Sequence, residues 1–221
     1  MKIENNIIKY YLKNVYFITG TAYAGKSTMV KLLAEKYGLI PCGENYHSKV
    51  SDLVAEPGRQ PNLCYFQTMK DWQEFVNRTP EEYDRWICKT SEEAAEFEVA
   101  ELIRISKDCK VIVDTNIPLN ILREIAEYHQ VAVMLSPQSM SVERFFDRND
   151  QEKKFLLEQI NASKDPQKTM ENYKACIAKC NSREHYEEYA NSGFFTVRRE
   201  DTDTDTKEAV MNMLAEHFGL K

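Results

Sequence analysis

The 221-residue sequence has no apolar run that approaches the roughly 20 residues needed to cross a bilayer, although 43% of its residues are hydrophobic. That argues against an α-helical span and leaves the apolar residues for a core. Basic charge is not in excess either: 29 Lys and Arg stand against 35 Asp and Glu, a net charge of −6. Without a global basic field there is nothing to draw in nucleic-acid polyanions, so nucleic acid is not the expected partner unless a local basic groove forms. The first thirteen residues lack both an apolar core and a cleavage site. No secretory signal or membrane contact is therefore expected, and the chain reads as soluble and cytoplasmic. None of the six cysteines (Cys42, Cys64, Cys88, Cys109, Cys176 and Cys180) falls in a C-x-x-C. In that compartment they read as reduced thiols. Cys176, Cys180 and His185 have metal-like spacing, but a fourth ligand is not evident and zinc is not expected. Repeats and low-complexity tracts are missing apart from the Asp/Thr alternation at 201–206. That run is not a calcium loop, because Thr206 stands where glycine is needed and Asn212 where the bidentate glutamate is needed.

What the sequence does have is Gly20-Thr21-Ala22-Tyr23-Ala24-Gly25-Lys26-Ser27, a fit to the phosphate-binding pattern G-x-x-x-x-G-K-[ST]. An apolar, β-branched and aromatic run at 14–19 precedes it and reads as a buried strand. Met29, Val30, Leu32, Leu33 and Tyr37 follow at helical spacing, and Gly38 stands where a helix stops. The motif thus lies between a strand and a helix, as its chemistry requires. Gly20 and Gly25 let successive backbone N–H groups, up to Thr28, point into one concavity, and the helix N-terminus adds positive charge. Lys26 reaches β- and γ-phosphates, and the Ser27 hydroxyl ligates magnesium. ATP and Mg2+ are the expected cofactors.

The rest of the chain alternates strands and helices. Residues 1–13 read as an extension with one short helix, and 39–42 as a short second strand. Residues 48–68, with Pro57, Gly58 and Pro61, read as loop. The stretch 69–106 is helical and broken at Thr79-Pro80, an N-cap followed by a first-turn proline. Buried strands follow at 111–114 and 131–135, with a helix from Pro118 to about 129 between them. Residues 139–190 are helical and charged, with a break at 163–166. A last strand at 194–197 and a helix capped by Thr206 end the chain. This pattern predicts an α/β fold, a parallel five-stranded sheet with helices on both faces, in a single domain over 1–221. Two excursions, 45–107 and 139–191, would project from the ligand-binding edge of the sheet.

That layout resembles the P-loop kinases of small molecules: nucleoside monophosphate kinases, shikimate kinase, gluconate kinase and their relatives. The resemblance spans most of the chain in order, and its motifs are specific only at residues 20–27. It implies that 45–107 binds the phosphoryl acceptor and that 139–191 is a helical lid. By the same resemblance, Asp114 at the end of the third strand holds magnesium together with Ser27; the alternative is a cap for the next helix. The turn Gly43-Glu44-Asn45-Tyr46-His47 is similar to the Gly-Asp-x-x-His turn of several relatives. That likeness makes Glu44 the general base or orienting carboxylate and His47 an acceptor contact. Glu44 is one methylene longer than the aspartate of that pattern, and the alternative is an exposed polar turn. In relatives, lid arginines bind ATP phosphates and stabilise the transferring group. Arg148 and Arg183 are the candidates here, with Arg144 nearer the base. Arg198 and Arg199 border the loop that flanks the base.

The expected function is an ATP-dependent kinase that moves the γ-phosphoryl group to a hydroxyl or phosphate of a small-molecule acceptor. A motor would place Glu directly after the strand-end acid, and Thr115 stands there instead. A GTP switch needs Asn-Lys-x-Asp, which the chain does not contain. A nucleic-acid- or protein-directed kinase and a non-catalytic nucleotide-binding module are the alternatives. Arg59, Arg78, Arg85 and Lys49 are the cations of the first excursion that would meet an anionic acceptor. The spacing does not identify that acceptor or the oligomeric state.

Overall fold

The computed structural model describes residues 3–143, 145–146, 151–200 and 204–221. Helix α1 (Asn5–Tyr11) leads into β1 (Val15–Gly20), and α2 (Lys26–Tyr37) crosses to β2 (Ile40–Cys42). Then come α3 (Ser48–Val54), α4 (Tyr65–Thr68), α5 (Trp72–Val76), the long α6 (Pro80–Ile105) and β3 (Val111–Asp114). Helix α7 (Leu119–Ile125) and a 3-10 turn lead to β4 (Val131–Leu135). Helices α8 (Gln138–Glu143), α9 (Gln151–Asn161), α10 (Pro166–Cys180) and α11 (Arg183–Ala190) precede β5 (Phe195–Arg198), and α12 (Lys207–His217) closes the chain.

Among the described residues the strands form one parallel five-stranded sheet in the order β2-β3-β1-β4-β5. The central strands are buried on both sides, so they read as continuous apolar runs. Side-chain alternation still sorts them. Tyr16, Ile18, Ile112, Ala132 and Met134 point to the face covered by α2 and α12, through Met29, Val30, Leu33, Leu214 and Phe218. Val15, Phe17, Val111, Val113 and Val131 point to the other face, against Ala95 and Leu102 of α6 and Leu122 and Ile125 of α7. Helices therefore cover both faces. Each Val, Leu, Ile, Phe or Met among them contributes roughly 1.5–3 kcal/mol of burial. Pro41 is tolerated in β2 because that strand is an edge.

The sheet order decides where a ligand can sit. The chain leaves β1 toward β2 and β3 on one side and reaches β4 and β5 on the other. The C-terminal end of β1 is thus the switch point of the sheet. Register pairs Ile18 with Asp114 and Gly20 with Met134. The end of β3 therefore lies directly beside the loop that follows β1.

Several expectations change. Residues 48–68 are not plain loop, since they contain α3 and α4. The Glu93 carboxylate accepts from the Asn62 and Leu63 N–H groups (2.9 and 2.8 Å), and Trp86 Nε1 donates to the Asn62 carbonyl (2.9 Å). These partners lie on α6, far away in sequence. The helix expected to reach residue 129 stops at Ile125. The break at Thr79 is a capping box: Thr79 accepts from Glu82 N (3.2 Å), and Glu82 accepts from Thr79 N (2.9 Å). Such a cap is worth about 1 kcal/mol.

The second excursion also differs in extent. Its last helix, α11, lays Tyr186, Tyr189 and Ala190 against Val133 and Leu135 of β4, so 183–190 covers the sheet. The remainder packs on the first excursion in a second small core. Phe75, Val76 and Tyr83 meet Ile160, Tyr173, Cys176 and Ile177 there. Helix α6, about 39 Å long at 1.5 Å per residue, joins both cores: its C-terminal half lies on the sheet and its N-terminal half carries the second core.

Candidate functional site

The loop between β1 and α2 is held open by backbone conformation. Gly20 has φ +125°, and a Cβ there would lie 2.0 Å from the Met134 carbonyl oxygen. Gly25, at φ +92°, starts α2. Tyr23 has φ +65° and is the one non-glycine residue with positive φ among the described residues. That conformation costs on the order of 1–3 kcal/mol. Neighbours fix it. Arg199 Nη1 donates to the Tyr23 carbonyl (3.0 Å), Ser136 Oγ donates to the Ala22 carbonyl (2.6 Å), and Ser136 N donates to Thr21 Oγ1 (2.8 Å). These three bonds hold the loop in its open shape.

The charged groups converge at its base. Ser27 Oγ donates to Asp114 Oδ2 at 2.6 Å, and Lys26 Nζ lies 4.0 Å from Asp114 Oδ1. Lys26 also donates to the carbonyls of Gly20 (3.3 Å) and Thr21 (3.1 Å). Asp114 is 2% exposed, a burial that needs partners such as these. A cleft of about 570 Å³ opens above them. It is lined by Gly20, Thr21, Ala22, Tyr23, Gly25, Lys26, Ser27 and Thr28, with Glu44 and Asp114. Ala24 faces a separate cavity of about 270 Å³ beneath the loop, between Arg199 and the start of α12. Glu44 accepts from Asn116 Nδ2 at 2.9 Å, which ties the turn after β2 to the end of β3.

The arginines are not gathered there. Arg183 is on the surface, with its side chain 89% exposed and paired to Glu187 at 2.6 Å, because α11 presents its other face to the sheet. Arg144 and Arg148 lie outside the described residues. In the first excursion, Arg59 pairs with Glu56, Lys49 is exposed, and Arg85 faces a shallow cavity away from the cleft. Arg78 stacks 3.6 Å over the Tyr65 ring, so it serves the second core. The cation that α9 does bring to the cleft is Lys153, which sits 4.7 Å over the Phe145 ring.

Besides Lys153, sequence reasoning missed Asn116 and Glu98 at the site. Asn116 follows the strand-end acid by two positions and carries no motif. Glu98 had a signal: it lies in the stripe of α6 that holds Ala94, Ala95 and Leu102, where an acid is out of place. It is 1% exposed, and Thr115 Oγ1 donates to its carboxylate at 2.6 Å. Tyr46, in the Glu44 turn, donates to the Glu98 carbonyl at 2.9 Å. Glu98 thus fastens α6 to the residue after Asp114 and to the Glu44 turn.

Burial pushes the Glu98 carboxyl from 4.5 up to about 7, against the pull of its Thr115 and Tyr46 hydrogen bonds. The sign follows from linkage. Between these values the unfolded chain releases the proton and the folded chain keeps it. Stability from this group is full below pH 4.5 and is lost as pH rises to about 7. The shift corresponds to roughly 3 kcal/mol at 1.36 kcal/mol per tenfold change in proton affinity. Glu98→Gln should therefore gain stability relative to wild type at pH 8 and much less at pH 5, in denaturant melts at the two values. An equal difference at both would mean that the charged carboxylate is not disfavoured in the fold.

No family model matches the chain, and no curated protein matches it. A solved structure, an uncharacterized protein from Eubacterium ventriosum ATCC 27560, aligns with 94% of this chain and 98% of its own at 14% identity and a TM-score of 0.40. Among the described residues no helix is long and apolar enough to cross a membrane.

Proposed function

We propose that the protein is an ATP-dependent phosphotransferase that passes the γ-phosphoryl group to a hydroxyl of a small molecule. The observation that carries this reading is the meeting of Lys26, Ser27 and Asp114 at the base of the β1–α2 loop, in one cleft with Glu44. Loop N–H groups, the α2 N-terminus and Lys26 would hold the triphosphate. The Ser27 hydroxyl and Asp114 carboxylate are the hard oxygen donors that magnesium takes, and four waters or phosphate oxygens would complete its octahedral set. Bound there, the ion would neutralise charge on the phosphate oxygens. The cavity beneath the loop, with Met134, Val197 and Arg199, suits the nucleoside end.

A second cavity, of about 850 Å³, adjoins the cleft and shares Glu44, Asn116 and Lys153 with it. Phe66, Trp72, Phe75 and Trp86 supply flat apolar walls, and Asp52, Glu98 and the buried His47 supply polar points. Its size suits a drug-sized molecule. Burial lowers the pKa of His47, which favours the neutral ring. This lining fits an acceptor with a planar apolar body that is neutral or cationic, better than a multiply charged anion. In this reading 45–107 binds the acceptor, and α8, α9 and α10 form the lid.

The test is a thermal-shift titration with a non-hydrolysable ATP analogue, with and without magnesium, in wild type and Asp114→Asn. Wild type should gain stability with ligand by mass action. The Asp114→Asn variant should melt like wild type when free and lose about 10- to 100-fold in apparent magnesium affinity. A wild-type melt that the analogue leaves unmoved would overturn the reading. A variant with unaltered magnesium dependence would reduce Asp114 to a structural acid.

A further inference from the structure

We propose that Asp84, Cys88, Cys180 and His185 form a binding site for a thiophilic divalent cation of the zinc class, clasping α6 to the α10–α11 corner at the mouth of the cleft. The proposal does not depend on the phosphotransfer reading.

Asp84 and Cys88 are four residues apart on α6 and share a face. Opposite them the chain turns a corner, at Asn181 and Ser182, between α10 and α11. Cys180 is the last residue of α10. His185 lies in the first turn of α11, fixed by its N–H donating to Ser182 Oγ at 3.4 Å. The corner is thus capped and has a defined shape. The ligand atoms of Asp84, Cys88 and His185 all lie within 4.8 Å of one another. His185 Nε2 is 2.8 Å from Asp84 Oδ1. Burial, and then the Asp84 carboxylate beside it, holds the Cys180 thiol pKa far above the usual range. Cys176, which sequence spacing had grouped with Cys180, is not part of this cluster: its thiol faces the Arg78 carbonyl at 3.5 Å. The missing ligands were on α6, about a hundred residues away.

The donor set decides the class of ion. Two sulfurs, an imidazole nitrogen and a carboxylate oxygen make a tetrahedral complement for zinc, and thiolates discriminate against magnesium. With bonds of 2.0–2.3 Å, tetrahedral donors stand roughly 3.3–3.8 Å apart. Asp84, Cys88 and His185 already lie within 4.8 Å of one another, with the 2.8 Å Asp84–His185 pair opening by about half an ångström, and Cys180, outside that group, would swing in as the fourth donor. On loading, each thiol gives its proton to solvent and its sulfur lone pair to the metal, and the imidazole coordinates through neutral Nε2. No oxidant or reductant takes part. Cys180 and His185 also line the phosphate-loop cleft, so an ion here would fix the cleft wall that α10 and α11 provide.

The experiment uses the full chain, freed of metal and titrated with cobalt(II), then with zinc as competitor. Saturation at one equivalent with thiolate-to-cobalt absorption, reversed by zinc and kept in Lys26→Ala, supports the site. Cys88→Ser and Cys180→Ser should each weaken zinc binding by at least tenfold, and the double variant should remove the thiolate band. Zinc-edge X-ray absorption of the loaded wild type needs no variant and should show two sulfurs. An oxygen and nitrogen shell without sulfur, or affinity unchanged in a folded double variant, would leave only a hydrogen-bonded cluster and overturn the proposal.

Discussion

Lys26→Ala should fold normally and lose phosphoryl transfer by at least roughly a thousandfold, the scale at which one cation on the transferring group counts. The ammonium is held at the base of the loop, its side chain 12% exposed, between the Gly20 and Thr21 carbonyls and Asp114. On the proposed reading, a triphosphate entering the cleft would find that charge already placed. Charge-assisted hydrogen bonds are about twice as strong as neutral ones, so affinity for a magnesium–ATP analogue should fall as well. The fold should survive because the loop does not depend on this side chain. Thr21 N donates to the Met134 carbonyl, Ser136 holds Thr21 and Ala22, and α2 is anchored by Met29, Val30 and Leu33. Calorimetric titration and a thermal melt on the same sample separate the two effects. If affinity and turnover were both unchanged in the variant, the loop would hold something other than phosphate.

The parts of this molecule that the sequence made legible are those whose partners are close in the chain. Strands β3 and β4 read correctly because both faces are buried, which makes them short, unbroken apolar runs. The loop at 20–27 was placed correctly between a strand and a helix because its two glycines and its flanks act within a few residues. The Thr79 cap read correctly for the same reason. Helices α3 and α4 did not, since the backbone at 62–63 is held by Glu93 and Trp86 of α6. Periodicity shows that a helix has an apolar face and is silent on what covers that face. Hence the second excursion shows no partner in the sequence, while Tyr173, Cys176 and Ile177 of α10 lie against Phe75 and Tyr83 of the first. Glu98 and Asp84 are similar cases. Asp84 looks like an ordinary helix acid and Glu98 like an acid out of place in an apolar stripe, and neither shows its partner, His185 for the first and Thr115 for the second.

In the proposed phosphotransfer, Glu44 is where transfer to an acceptor would part from simple hydrolysis. A hydroxyl nucleophile must lose its proton as the phosphoryl group moves, and a carboxylate within hydrogen-bond reach can accept it or aim the oxygen in line. The strand order β2-β3-β1 puts the turn after β2 two strand spacings, roughly 10 Å, from the phosphate loop. That gap leaves room for a γ-phosphoryl group and an attacking oxygen. Glu44 borders both the phosphate cleft and the aromatic cavity beside it, and its bond from Asn116 fixes one carboxylate oxygen. Glu44→Gln keeps an oxygen for Asn116 and removes the charge. Acceptor phosphorylation should fall by roughly ten- to ten-thousand-fold, the range of acid–base groups. Affinity for the ATP analogue should change little, because Lys26, Ser27 and the loop backbone are untouched, and slow hydrolysis should persist. Single-turnover assays with and without acceptor distinguish the outcomes. Loss of ATP binding in step with transfer would move Glu44 into the nucleotide site. Transfer at the wild-type rate would make the 43–47 turn structural and shift the search for a base to the other polar groups of the cavity, His47 first among them.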